Sequence, residues 1–583
     1  MAAPVDARTK RLTLIACIMG SGIVLLDGTV VNVALPTIQR ALGGGLAAQQ
    51  WVVNGYLLTL SSLILIGGSL GDLFGERRVF ALGVSGFGAA SLACALSPTI
   101  GVLVAMRALQ GVAGALLVPS SLAVIVNTFP GGEGGSKSER GAAIGSWTAW
   151  GAIAGVLGPL AGGELLAIGS WRWLFVINIP LAAACVVLIL FVVPRAEPRR
   201  TGARKVDVPG ALLCAAGLAG PVFALIEQPR LGWSSLEVVV PLVAGVFLLG
   251  AFLWQESRAP DPMLPLGLFK RRNFSAGNIE TFSMYAGLAV LFFFLILFLQ
   301  QIGGYTPLQS GMATLPVTVI MFVLSRRFGA LADRFGPRFF MGGGPLVAAC
   351  GLLLFQRIGA QVDYVSEVLP GLLVFALGLS MTVAPLTAAV LAGAETSQAG
   401  IASGVNNAIA RVAGLLGTAA VGAAVAGSFG SSLDEHLSGV RLGSAARVAG
   451  LLGTAAVGAA VAGSFGSSLD EHLSGVRLGP AARAAVTQAK RLPLGRPDVH
   501  GLLSAQASAL THAAEQASLH SFHLGMAIAG LLVAAGGVVG VVGIRNPKGA
   551  IPAETCPGGQ LVGASSEIAP RTAEPSQPTG SLA

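Results

Sequence analysis

Charge is scarce in this chain. Of its 583 residues only 11% are Asp, Glu, Lys or Arg, while 54% are hydrophobic, a balance that excludes a soluble multidomain protein of this length. Cysteine is scarce too, with six in all. Cys17, Cys94, Cys185, Cys214 and Cys350 lie singly in apolar stretches and Cys556 lies near the C-terminus, which excludes a disulfide framework or a CxxC metal site. All six histidines (His436, His472, His500, His512, His520, His523) follow residue 435. The group His512, Glu515, His520 and His523 fits no zinc spacing and reads as a solvated amphipathic segment, so no metal is expected. No GxxxxGK[ST] motif occurs, which argues against ATP hydrolysis on this chain; no cofactor or enzymatic activity is expected, and the energy for any work must come from a gradient or a partner.

Long apolar runs are abundant. Fourteen are long enough to cross ~30 Å of hydrocarbon at ~1.5 Å per helical residue: 12–34, 49–70, 79–97, 100–127, 141–163, 172–193, 208–227, 238–257, 274–300, 308–331, 338–357, 366–392, 401–427 and 524–544. They lack the alternation of membrane β-strands. The expected class is therefore all-α integral membrane, with the lipid bilayer as solvent. The net charge of +9 does not imply nucleic acid, because the basic residues follow the membrane. Arg8, Lys10, Arg11, Arg195, Arg199, Arg200, Arg204, Lys205, Lys270, Arg271 and Arg272 fall on one side; the short loops opposite hold Arg40, Arg172, Arg230 and Arg357. The positive-inside rule then puts both termini in the cytoplasm of a multi-pass plasma-membrane protein.

The chain has two related halves. GSLGDLFGERRVF at 68–80 returns in altered form as GALADRFGPRFFM at 329–341, a pattern of internally repeated transporters. Asp72 and Asp333 are 333 − 72 = 261 residues apart, more than six spans fill, so spans 208–227 and 238–257 read as an insertion between two bundles of six. The expected divisions are 1–194 for the first bundle, 195–272 for linkers and two extra helices, 273–545 for the second bundle with a long outer loop at 428–522, and 546–583 for a Pro/Ser/Thr/Gly-rich disordered tail. Within that outer loop, residues 447–479 repeat 411–443 letter for letter. Packing alone does not preserve 33 residues unchanged, so a recent duplication or a sequence artefact is the expected origin. The apolar part of the second copy, 448–463, is short for a span.

Arg107 and Arg411 are the basic residues lying well inside spans, with Asp27 and Glu280 as embedded acids. Such charges cost at least ~2.5 kcal/mol at mid-bilayer and normally face a cavity or a partner. Asp27 and Arg107 lie at the same depth, each ~10 Å from the outer end of its span; if their helices adjoin, they form a pair whose protonation could be coupled to transport. The alternative is a static ion pair orienting two helices. Arg107, Gln110, Gly111 and Gly114 share a helix stripe, as do Gly404, Asn407, Arg411 and Gly414. Gly151, Gly155, Gly158 and Gly162, with Pro159 and Gly163, give a smooth, kinked helix able to shift against a neighbour. Asn32, Gln110, Glu280, Asn407 and Arg411 are the cavity candidates.

Four motifs in order resemble the major facilitator superfamily, specifically its fourteen-helix drug:proton antiporter branch. They are LDGTVVNVALP at 26–36 with Asp27, Asn32 and Pro36; GSLGDLFGERR with Gly68, Asp72, Gly75 and Arg77; RALQGVAGA at 107–115; and GAIAGVLGPLAGG at 151–163, extended by WRWLFVINIP at 171–180. The resemblance implies a major facilitator fold, a cytoplasmic gate at the twin loops (Gly68, Asp72, Gly75, Arg77; Asp333, Arg334, Gly336, Arg338), proton transfer involving Arg107, and export rather than uptake from the GPLAGG helix. Leu73 and Glu76 depart from the family pattern at the first gate, and the duplicated segment is not a family feature. The expected function is proton-coupled antiport of small, lipophilic or cationic drugs by a chain sufficient as a monomer. An importer of the same fold and a membrane sensor that no longer transports are the alternatives.

Overall fold

The computed structural model describes residues 6–129, 137–194, 207–260, 262–359, 361–392, 399–438, 494 and 504–546. Among them there is no β-strand. The first half is built from α1 (Ala7–Leu42), α2 (Leu46–Phe74), α3 (Glu76–Ala95), α4 (Ile100–Thr128), α5 (Lys137–Ile168), α6 (Trp173–Val176) and α7 (Asn178–Phe191). Next come α8 (Val208–Leu231) and α9 (Leu236–Arg258). The second half comprises α10 (Arg272–Gln301), α11 (Pro307–Ala313), α12 (Leu315–Phe335), α13 (Pro337–Leu354), α14 (Leu369–Ala392), α15 (Ala399–Ser438) and α16 (Ser504–Gly543). Joined pairwise, α6 with α7 and α11 with α12 each make one span. Thirteen described spans are long and apolar enough to cross a membrane, and α5, with 32 residues, makes fourteen.

Local chemistry sets the helix ends. Asp6 accepts the Thr9 amide and Thr99 the Val102 amide, while Thr306 and Gln309 form a reciprocal capping box with Pro307 at the first helical position. The twin loops use one device twice. Gly75 at φ +90° and Gly336 at φ +87° stop α2 and α12 and return the chain into α3 and α13, a left-handed geometry open mainly to glycine.

Two helices are longer than the hydropathy suggests. α15 runs to Ser438 and α16 begins at Ser504, each 40 residues long, about 60 Å and twice the hydrocarbon thickness. The expected outer loop at 428–522 is thus partly helix at both ends. The reason is that hydropathy reports only the membrane-crossing part of a helix. Residues 504–523 are rich in the strong helix former Ala, and Leu510, Ala513, Ala514 and Ala517 bury one stripe. The exact repeat at 447–479 and the tail from 547 lie outside the described residues.

The buried side chains show how the halves meet. One core joins them near the outer ends, where Val30, Leu35, Ile38 and Trp171 of the first half share a cluster with Phe294, Phe298, Ala313 and Val317 of the second. Toward the cytoplasm the core divides. Ala16, Cys17, Phe80, Ile144 and Ile189 form one cluster within the first half, and Phe274, Met341, Leu386, Ala402 and Ile544 another within the second. Hydrogen bonds between halves also lie outward: Gln300 Nε2 donates to Val33 O at 2.9 Å, Gln50 Nε2 to Thr418 O at 2.6 Å, and Thr418 Oγ1 to Asn54 Oδ1 at 3.1 Å. The halves thus share a core at the end away from the N-terminus and hold separate cores at the end that carries it.

The inserted pair sits at one flank. α8 packs on α2 and α15 through Val222, Ile226, Leu415 and Ala419, and Trp51 Nε1 donates to Glu227 Oε1 at 2.9 Å. α9 packs on α8 at Gly217, Gly220 and Gly245, leaving Val240, Val243 and Phe247 exposed toward lipid.

Candidate functional site

Asp27 lies on the inward face of α1 and is 1% exposed, as is Arg107 on α4. Helices α1 and α4 do adjoin, and Arg107 Nη1 donates a short charge-assisted bond to Asp27 Oδ2. Oδ1 accepts two more bonds, from Gln110 Nε2 at 2.9 Å and from Asn178 Nδ2 at 3.0 Å. Gln110 sits one turn beyond Arg107 on the same face of α4, so its Oε1 also accepts from Arg107 Nη1 at 2.6 Å while its Nε2 reaches Ser91 Oγ on α3 at 2.8 Å. Arg107 Nε donates to Val52 O at 3.1 Å, and the guanidinium lies 4.2 Å from the Tyr56 ring centroid on α2. Five helices thus converge on one carboxyl. Three donors, one of them a guanidinium, satisfy the buried carboxyl oxygens.

Sequence reasoning named Asp27, Arg107 and Gln110 but missed Asn178, Ser91 and Tyr56. Asn178 had a signal, an amide inside the apolar run WRWLFVINIP. Ser91 had none, because serines bonding their own helix are common in such spans.

The other candidates separate. Asn32 is half-buried on α1 with Oδ1 enclosed and lacking a hydrogen-bond partner. Asn407 is half-buried on the Gly404 and Gly414 stripe; its neighbour Asn406, not foreseen, accepts from Thr281 Oγ1 at 2.7 Å. Arg411 is half-buried on the same stripe, its Nε enclosed and without a hydrogen-bond partner. Glu280 packs toward α16. It is fully buried, both carboxyl oxygens lack hydrogen-bond partners, and a Cβ on Gly540 of α16 would lie 3.0 Å from its Oε2. The close approach that glycines allow between α10 and α16 encloses it there, on the side of α10 away from the seam.

The twin gate loops act within their own halves here. Arg77 donates from Nε to Ile189 O at 3.1 Å and from Nη2 to Leu190 O, at the cytoplasmic end of α7. Arg338 Nε donates to Val541 O at 2.7 Å, at the cytoplasmic end of α16. Each arginine therefore satisfies the free carbonyls that close its bundle's last helix. Arg334 is exposed with its guanidinium 5.3 Å from the Phe335 ring, and Gly68 faces Pro119 at 3.8 Å. The departing residue Glu76 bonds Asn127 Nδ2. The Asp72 and Asp333 side chains lie outside the described residues.

The α5 glycines have two jobs. Gly151, Gly158 and Gly162 face α1 at Leu25, Thr29 and Val30. Gly163 and Pro159 face the second half: Gly163 packs against the Leu308 backbone, and a Cβ on Gly311 would lie 2.6 Å from Pro159 O. Backbones of the two halves touch directly at the outer seal. The surroundings of Gly155 lie outside the described residues. Among the described residues no three His, Cys, Asp or Glu side chains gather in a way that could hold a metal.

The sequence matches the Major Facilitator Superfamily family model over residues 17–418. The chain belongs to the Major Facilitator Superfamily. Its relatives include the puromycin resistance protein pur8 of Streptomyces alboniger, 37% identical over 73% of this chain and 83% of that protein. The tetracenomycin C resistance and export protein of Streptomyces glaucescens is 35% identical over 72% and 76%, and the multidrug resistance protein Stp of Mycobacterium tuberculosis CDC 1551 / Oshkosh is 33% identical over 74% and 78%. Among solved structures, a bacterial homologue of the human lysosomal transporter Spinster, inward-facing and unoccupied, superposes with a TM-score of 0.56 at 14% identity, covering 93% of this chain and all of that one. The likeness to that structure is one of fold. As a member of the superfamily this chain is a multi-pass membrane transporter of small molecules, not an enzyme.

Proposed function

We propose that this chain exports small lipophilic antibiotics or drugs from the cytoplasm by alternating access, driven by protons that enter from outside at Asp27. One observation carries the reading: Asp27 is held by Arg107, Gln110 and Asn178 in a conformation whose outer end is sealed, as befits a coupling carboxylate that has released its proton inward. Opening the outer end would expose the pair to external water, and protonating Asp27 would release Arg107 and its partners. The export direction is supported by the α5 glycines at the outer seal and by relatives named for resistance and export. Both termini lie in the cytoplasm in this reading, and one chain holds both halves of the cycle.

Resistance tests the reading. An exporter-deficient bacterial strain expressing the chain is challenged with puromycin, tetracenomycin C and methylenomycin A alongside other antibiotics. At least one tolerance should rise and fall back with Asp27→Asn at unchanged expression. Resistance that survives Asp27→Asn contradicts the role of Asp27.

A further inference from the structure

Among the described residues, the seam between the halves holds a cation, Arg411, with no hydrogen-bonded or ion-paired anion. Arg411 Nε is enclosed and without a hydrogen-bond partner. Its stripe neighbours fix its direction. Gly404 lies against Leu65 of α2 and Gly414 against Ala289 of α10, so this face of α15 looks onto the junction of both halves.

The two embedded arginines are thus treated in opposite ways. Arg107 has a carboxylate, an amide oxygen and a backbone carbonyl; Arg411 has none of these. The acids that would make the seam attractive to cations are elsewhere. Asp27 is occupied by three donors inside the first bundle. Glu280 precedes Ala289 by nine residues on α10, or about 180° around a helix turning ~100° per residue, so it points away from α15 and into α16.

A guanidinium held inside the membrane without an acceptor is unfavourable, and the deficit is relieved by whatever enters carrying one. We infer that the central site selects substrates bearing an acidic or acceptor-rich group, such as a carboxylate, a phenolate or clustered carbonyl oxygens on an aromatic body. That group pairs with the Arg411 fork. The inference rests on the export reading for the direction of transport but not for the charge preference.

The test uses the full chain in lipid nanodiscs with two dyes sharing a xanthene ring system and carrying opposite charge, fluorescein as anion and rhodamine 6G as cation. Fluorescein should bind more tightly than rhodamine 6G. Arg411→Gln should weaken fluorescein by about tenfold or more, the scale of one hydrogen-bonded charge, and narrow or reverse the preference; Arg411→Lys should lose less. Melting curves of both variants establish that they fold, and the wild-type preference is decisive even if Arg411→Gln does not. No fluorescein binding, a wild-type preference for rhodamine 6G, or an unchanged ratio in a folded Arg411→Gln overturns the inference. Because binding needs no proton gradient, a failure of proton coupling leaves this test standing.

Discussion

At the residue scale, the Asp27 network makes one carboxyl the focus of four helices beyond its own. Replacing Asn178 by Leu removes one donor to a buried charge, worth about 1.5–3 kcal/mol. Transport by Asn178→Leu should fall by about tenfold or more while surface expression is kept, measured as initial efflux rate; an unchanged rate would leave Asn178 as packing only. Glu280 makes the opposite prediction. Its two enclosed oxygens lack partners, and leaving a buried polar group unsatisfied costs about 1–3 kcal/mol. Glu280→Met, similar in volume and apolar, should raise the melting temperature and retain efflux; a lower melting temperature would show that the carboxyl has a stabilising role. Asp27 and Arg107 could be read from the sequence because an embedded charge is conspicuous among apolar residues. The fate of Glu280 could not, since a helical period gives a face but not the neighbour that covers it.

At the element scale, the outer seal depends on backbone contact between α5 and α11. Gly163 and Gly311 admit no Cβ without displacing Leu308 or Pro159, whereas a Cβ on Gly28 of α1 would have nothing within 4 Å. Gly311→Val should therefore prevent outer closure, raise labelling of a cysteine at Leu308 from the outside and abolish efflux, while Gly28→Ala should do neither. Equal labelling in both would refute the seal. The glycine helix was legible as a closely packed surface, because small residues at helical spacing announce close packing. Its division into a face for α1 and a face for α11 was not, because that depends on how two distant segments meet. The gate arginines show the same limit: the repeat placed Arg77 and Arg338 at equivalent turns, but only the three-dimensional arrangement brings them to the carbonyls that end α7 and α16.

At the scale of the whole molecule, the fold was the most legible part, since fourteen apolar runs and a repeated loop leave few architectures. The outer ends of α15 and α16 were less so, because helix outside the bilayer carries no hydropathy signal. The exact repeat at 447–479 falls between those two helices in the sequence. Deleting it should leave the C-terminus cytoplasmic, read by a reporter fused after Gly543, with resistance unchanged; a reporter active only outside the cell would contradict the orientation proposed here.

The central claim is that Asp27 carries the proton exchanged for substrate. It is tested most directly in inverted membrane vesicles holding an imposed ΔpH, acid inside, into which a compound found in the resistance panel is added. The wild-type chain should dissipate ΔpH as the compound enters the vesicle, and Asp27→Asn should leave ΔpH untouched. Equal dissipation by Asp27→Asn, or accumulation of the compound with no change in ΔpH, would contradict it.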